Sequence, residues 1–372
     1  MSQEMNTSLN PVESKINSIQ VLRGVAALIV TVYHLKGFIA IEQPFRRELD
    51  FLFDSGAAGV NLFFVISGFI MVYITEKTPG SPRDIYKFIV KRFIRIWPTY
   101  AVLTVVYFLA RYRWYATAVE IKELAKSLLF IPLEYTPPPF YGYATLPVGW
   151  SLNYEIYFYA LITASLLFRK LRWPVFFLLT VLTLVIIPVL NGSFTLDAAR
   201  TENYGYKYLN MITNPIIWSF IYGVVIGLLY SNPKVRGLLT HFFSRKWIFN
   251  TVVMLAIWQY LSGFFGGQGA LQWAIGASAL FSAFLFYHAG RQTQFPDWMI
   301  RLGDISYSIY LLHVPVSFLI TIVFQKLGYP IYSTGPAFFF LSTSLTLISA
   351  SLSYEYLEIR LSNYLKRLFP LF

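Results

Sequence analysis

Two side chains that rarely enter hydrocarbon, Arg23 and His34, interrupt the apolar run "LRGVAALIVTVYHLKGF" over residues 21–37. They stand eleven positions apart. At about 100° per residue, a helix brings them back to within about 20° of the same face. At about 1.5 Å per residue, it separates them by about 16 Å along its axis. A guanidinium binds phosphate through paired hydrogen bonds, and an imidazole exchanges protons near neutral pH. One helix face thus carries an anion-binding group and a proton-transfer group, spaced to suit a long substrate. A coenzyme A thioester, with phosphates at one end and an extended pantetheine arm, has about that reach. Each residue alone also fits a plainer role, Arg23 as a charge at the inner membrane surface and His34 as a hydrogen-bonded packing residue.

Three further stretches carry polar groups of the same kind. In "SPRDIYKFIVKRFIRIWPTY", Lys87, Lys91 and Arg95 recur at i, i+4 and i+8, with Arg92 beside them. That stripe suits a phosphate-bearing ligand or the anionic lipid surface. "GWSLNYEIYFYA" places Ser151 and Glu155 at i, i+4. A carboxylate there can orient His34 or take a proton, or else pair structurally with a base. "LGDISYSIYLLHVPV" sets Ser306, Tyr310 and His313 at i, i+4 and i+7, where His313 is either a second polar partner or a packing residue. His241 and His288 fall in or beside loops and are expected to be solvated. Asn61, Ser67 and Gly68 in "GAAGVNLFFVISGFIM" read as small groups for close helix packing.

These residues need a membrane scaffold. The chain is 56% hydrophobic and only 13% charged, with a mean hydropathy of +0.54, too little charge to solvate a soluble domain of 372 residues. The pattern predicts an all-α polytopic membrane protein with ten spans. They are expected near 21–40, 57–75, 93–110, 151–168, 173–190, 211–230, 247–265, 270–288, 303–325 and 335–357. Lys and Arg are about twice as frequent on the odd-numbered side of this topology, which places both termini in the cytoplasm. The first run is read as a retained span and not a signal peptide. Residues 1–20 are expected to form a cytoplasmic tail, 21–357 the transmembrane domain, and 358–372 a second cytoplasmic tail. Lys36 points away from His34 and is expected to snorkel outward.

The chain has no cysteine, which excludes disulfides and thiolate chemistry. Its four histidines lie far apart and form no metal-ligand pattern. The net charge of +12 follows from basic loops between apolar runs, so nucleic acid is not the expected partner. No internal repeat is visible. The loop 111–150 holds "AVEIKELAKSLLFI", with Ile121, Leu124, Leu128 and Leu129 on one helical face, as in an interfacial helix. The Pro-rich "YTPPPFYGY" that follows is either a connector or a lid over a buried site.

Taken together, these stretches resemble the acyltransferase 3 family of membrane acyltransferases over nearly the whole chain. The likeness rests on the Arg23-x10-His34 pattern, "GVNLFFVISGF", "KRFIRIWPTY", "GWSLNYEIYFY" and "ISYSIYLLHVPV". "RIWPTY" and "GWSLNYE" are most similar to the branch that O-acetylates bacterial exopolysaccharides and O-antigens. The resemblance implies ten core helices in the bacterial inner membrane. It implies no permanently bound cofactor, a cytoplasmic acyl-CoA donor (acetyl-CoA expected), and a glycan acceptor outside or on a lipid carrier. By position, Arg23, Arg92 and Arg95 would serve the donor, and His34 and Glu155 the chemistry, with Ser151, Tyr310 and His313 in support. His34, oriented by Glu155, would take the proton from a sugar hydroxyl, or would itself carry the acyl group. The sequence departs from the family at Asn61, where an acidic residue is usual, and at Ile359-Arg360, where Arg-Pro is usual. No hydrolase-like domain follows, so the acceptor is expected to be positioned by the outer loops, chiefly 111–150. The competing readings are a glycolipid transporter or flippase using His34 and Glu155 as a proton relay, and a membrane scaffold whose polar groups only specify packing.

Overall fold

The computed structural model describes residues 16–112, 115–200, 204–289, 291 and 293–369. No strand occurs among them. The chain opens with α1 (Asn17–Leu35), a short α2 (Arg46–Phe53) and α3 (Ala58–Thr75). The long α4 (Pro82–Tyr112) starts where Ser81 and Asp84 cap each other reciprocally. A second capping box, Thr117 with Glu120, starts α5 (Ala118–Leu128). The Thr117 hydroxyl donates to the Glu120 carboxylate and holds it below the usual carboxylate range. Next come α6 (Trp150–Leu166), α7 (Arg172–Val181), a π-helical turn at Leu182–Ile186, α8 (Ile187–Leu190) and α9 (Lys207–Ile212).

A sharp bend follows between α10 (Trp218–Ser231) and α11 (Pro233–Ser244), whose axes turn by 102°. Pro233 disfavours helical backbone at Asn232, which is extended and caps α11 through its side chain. Then come α12 (Lys246–Ser262), α13 (Trp273–His288), α14 (Asp297–Asp304), α15 (Ser306–Lys326) and α16 (Gly335–Ser353). The last of these runs directly into a π-helical segment, Tyr354–Leu361, and α17 (Ser362–Leu368). The boundary expected after residue 357 therefore falls inside a continuous helical run, and Glu358 is buried in the bundle.

Six helical stretches among the described residues are long and apolar enough to cross a membrane, or seven if the bent α10–α11 pair counts as one span. Helices also occupy the remaining predicted runs, but α6 and α12 have 17 residues each and α13 has 16. The architecture is an all-α, multi-pass bundle.

Small residues bring the site-bearing helices together. Gly68 of α3 and Gly223 of α10 cross with their backbones in contact, and a Cβ on Gly68 would lie 2.9 Å from the Val224 nitrogen. Gly24 of α1 meets Leu302 and Gly303 of α14 in the same way. That second crossing sets Arg23, one residue earlier, beside the end of α14. Lys36 does not snorkel. It is 4% exposed and paired with Asp50 at 2.5 Å and with Asp54. Arg46 joins the same cluster through Asp50 at 2.8 Å and the Ile39 carbonyl at 2.5 Å, which ties α2 to the end of α1. His288 is partly buried against Phe295 and Thr293, not solvated as expected. On α5, Val119 and Ile121 are exposed, as is Leu129 just past its end, so the helix presents an uncovered apolar edge. Trp97 fastens α5 to α4 by donating to the Leu128 carbonyl at 3.0 Å.

Candidate active site

A cavity of about 440 Å³ lies among α1, α3, α4, α6, α14, α15 and the π-helical segment. Arg23, Arg92, Arg95, Glu155, Ser151 and Tyr310 all border it. Along α3 its lining runs from Val60 to Met71, a rise of about 16 Å. The three arginines that the sequence assigned to one ligand thus share one chamber, although they come from two helices.

Their surroundings differ. Arg95 donates to the Glu358 carboxylate at 2.6 Å, and Ser308 donates to its other oxygen at 2.6 Å. The Arg95 guanidinium also sits 5.7 Å from the centre of the Tyr307 ring. The Glu358 side chain is wholly enclosed, so Arg95 is its counter-charge. Arg92 instead lies 5.9 Å from the Tyr159 ring centre, and its Nε is buried with no acceptor. Arg23 has only a 3.4 Å contact to the Gln20 amide oxygen. Neither Arg23 nor Arg92 reaches a carboxylate within 4.0 Å among the described residues. Two partly buried cations thus face the chamber, which Glu155 and Asp304 also line, without a salt bridge of their own among the described residues, an arrangement that is costly away from water.

Glu155 borders the same chamber but does not hydrogen-bond to His34. It accepts from Ser67 at 2.9 Å and from the Tyr159 hydroxyl. The expectation that Glu155 orients His34 is therefore corrected: on α6 the carboxylate faces α3 and the arginines. Ser151, one turn earlier, turns to α15 and lies 2.8 Å from the Tyr310 hydroxyl.

His34 and His313 lie outside the chamber, beyond its Ser151–Tyr310 end. Their rings are 4.9 Å apart by centroids and tilted by 39°. The His34 ring is exposed, and its Nδ1 is 2.8 Å from the Val30 carbonyl. A carbonyl only accepts, so Nδ1 carries the hydrogen and Nε2 keeps its lone pair. His313 is fully buried. Its Nδ1 is 3.4 Å from the Ile309 carbonyl and its Nε2 has no partner. Asn61 is also buried, held to Ser219 at 3.0 Å.

A second cleft of about 370 Å³ opens in the 111–147 segment. Arg111, Tyr112, Glu123, Glu134 and Tyr143 line it.

Sequence reasoning passed over Ser67, Tyr159, Tyr307 and Asp304 as chamber-lining residues. Tyr159 stands four positions after Glu155, so the helical repeat offered a signal. Ser67 and Tyr307 offered none, since a serine or tyrosine in an apolar run is usually packing.

The family model described as an acyltransferase domain, acyltransferase 3, matches residues 16–355. The chain belongs to this family, and it is an acyltransferase. Among curated relatives, it is 30% identical over 321 residues to the exopolysaccharide production protein ExoZ of Rhizobium meliloti, covering 82% of this chain and 89% of the relative. It is 28% identical over 328 residues to nodulation protein 10 of Rhizobium leguminosarum bv. viciae, covering 81% and 82%. A third relative, ORF330 of Acidianus two-tailed virus, is provisionally named an acetyltransferase. It is 27% identical over 213 residues, 57% of each chain. No solved structure matches significantly.

Proposed function

We propose that the protein is an integral-membrane O-acyltransferase. It moves an acyl group, acetyl in our reading, from cytoplasmic acyl-CoA to a hydroxyl of an extracytoplasmic or lipid-linked glycan such as an exopolysaccharide or O-antigen. The observation that carries this is the pair of guanidiniums, Arg23 and Arg92, facing one chamber with no salt-bridged carboxylate among the described residues. They suit the phosphates of the donor. With ten spans and both termini in the cytoplasm, the Arg23 end faces the donor's compartment and His34 the acceptor's. The chamber then directs the pantetheine arm past Glu155 towards Ser151 and Tyr310.

His34 is the general base in this reading. Its Nε2 takes the proton as the glycan oxygen attacks the thioester carbonyl carbon, and coenzyme A leaves as its thiolate. The same nitrogen is the one that would carry an acyl group in a two-step route. The cleft formed by Glu123, Glu134 and Tyr143 suits a saccharide, which carboxylates and aromatic rings bind together. The name of ExoZ supports the acceptor class, and that of ORF330 the acetyl group.

The test is binding and turnover of labelled acetyl-CoA by purified protein, with His34→Ala and Arg23→Ala alongside. Expected are donor binding without transfer in His34→Ala, and weak donor binding in Arg23→Ala. Label that stays on wild-type protein without acceptor would mark the two-step route. A protein that neither binds nor consumes acyl-CoA would sink the proposal. The run of polar groups through the bundle would then favour proton-coupled glycolipid transport, read as movement of labelled lipid across a vesicle.

A further inference from the structure

Gln20, Arg23, Asp304, Tyr354 and Ile359 border the end of the chamber opposite Ser151 and Tyr310. In the acyl-CoA reading, Arg23 and Arg92 hold the diphosphate, and the pantetheine arm runs towards Ser151 and Tyr310. Coenzyme A carries adenosine and a 3′-phosphate on the other side of that diphosphate. With the arm in the chamber, these groups lie outside it, past the Arg23 end.

Arg301 is placed to meet them. It lies on α14, one turn before Asp304 and so on the same helical face. Gly24, next to Arg23, packs on Leu302 and Gly303, which fixes α14 against the start of α1. The Arg301 guanidinium lies over the Tyr354 ring, 4.9 Å from its centre. Tyr354 borders the chamber and Arg301 does not, so the pair stands at the rim. Arg301 is exposed, and no carboxylate lies within 4.0 Å of it among the described residues. Arg360, on the π-helical segment that also carries Tyr354, is instead tied to Glu355 at 3.1 Å. A charge that only marks the inner membrane surface has no need of a fixed position. Here an aromatic face restrains a planar guanidinium and leaves its N–H edge open to an anion.

We propose that Arg301, positioned by Tyr354, binds the 3′-phosphate of the acyl-CoA donor. The inference rests on the acyl-CoA reading and deepens it, since the nucleotide end is then recognised as well as the arm. A phosphate monoester carries roughly two negative charges and suits the paired N–H groups of a guanidinium. An acyl group on a bare phosphopantetheine arm, as on a carrier protein, lacks that contact and is the poorer donor.

The test measures binding of coenzyme A and of 3′-dephospho-coenzyme A, which differ by that phosphate alone, at fixed ionic strength. It uses full-length protein in detergent and compares wild type, Arg301→Gln, Arg301→Lys and Tyr354→Leu. Wild type should bind coenzyme A at least about 10-fold more tightly than the dephospho form. Arg301→Gln should lose that preference, with coenzyme A weakened about 10-fold and the dephospho form within about twofold of wild type. Arg301→Lys should keep part of it, because lysine retains the charge without the fork. Tyr354→Leu should narrow it, because the guanidinium loses its platform. If wild type binds both forms equally, the proposal falls without any variant, and the acyl-CoA reading stands. If Arg301→Gln keeps the wild-type preference, or weakens both forms alike, the 3′-phosphate is not its ligand and the proposal falls. An undiminished preference in Tyr354→Leu would overturn the role given to the ring. If wild type binds neither form, both the proposal and the acyl-CoA reading fall.

Discussion

The arginine-lined chamber and the His34–His313 pair are built on opposite principles. At the Arg23 end, charge is abundant and three guanidiniums face one chamber. Among the described residues, Arg95 alone of the three is paired with a carboxylate, the buried Glu358. At the His34 end two imidazoles lie against each other, and no carboxylate is salt-bridged to either among the described residues. The first arrangement is the kind that suits a fixed anion, and the second, in the proposed reading, the kind that suits transfer of a proton. Within the Arg23 end the same contrast recurs on a smaller scale. Arg95 is paired with Glu358, whereas Arg23 and Arg92 reach no carboxylate among the described residues.

The comparison breaks first at His34. His34→Ala should cut transfer by about 10² to 10⁴-fold without loss of donor affinity, measured as kcat beside a dissociation constant. Parallel weakening of both would place His34 in donor binding instead. Arg23→Ala and Arg92→Ala should each weaken donor binding by about 10 to 100-fold, read by equilibrium dialysis of acyl-CoA.

Arg95→Met should chiefly affect stability, since it strands an enclosed Glu358 at a cost of about 3 kcal/mol. Melting of the Arg95→Met/Glu358→Met double variant should return most of that loss. A double variant as unstable as the single one would show that the ion pair is not the cause. The smallest effects are expected at the supports. Ser67→Ala removes one hydrogen bond to Glu155 and should cost about 1 kcal/mol. Asp54→Asn should cost less, because Asp54 is largely exposed and Lys36 keeps Asp50.

Local arithmetic made one helix legible and left its neighbours obscure. Arg23 and His34 could be placed on a common face because eleven residues close three turns. The stripe of Arg92 and Arg95 was legible for the same reason. Ser151 and Glu155 were read correctly as neighbours on one helix, yet they turn to different partners, α15 and α3. No spacing rule tells which helix will stand opposite.

Lys36 was misplaced because a cation near the end of an apolar run ordinarily reaches for water. Asp50 and Asp54 bury it from 14 and 18 positions away, across a turn of chain. The partner of Arg95 lies 263 residues downstream, beyond any periodic pattern. The multi-pass helical class followed from composition. The identity of the facing side chains required tertiary structure.

The π-helical segment Tyr354–Leu361 carries a consequence for length variation in this chain. Its i→i+5 bonding accommodates one residue more than a regular helix would over the same rise. Removing any single residue between 354 and 361 would let the backbone revert to the regular repeat. The helix beyond the segment would keep its place, and Ser362 would keep the Ile94 carbonyl that it reaches at 3.3 Å. The side chains inside the segment would shift, and Glu358 would be displaced from the position in which it meets Arg95. A deletion at what reads as an inconspicuous C-terminal tail would thus reshape the lining of the chamber, whereas the same deletion beyond α17 would not.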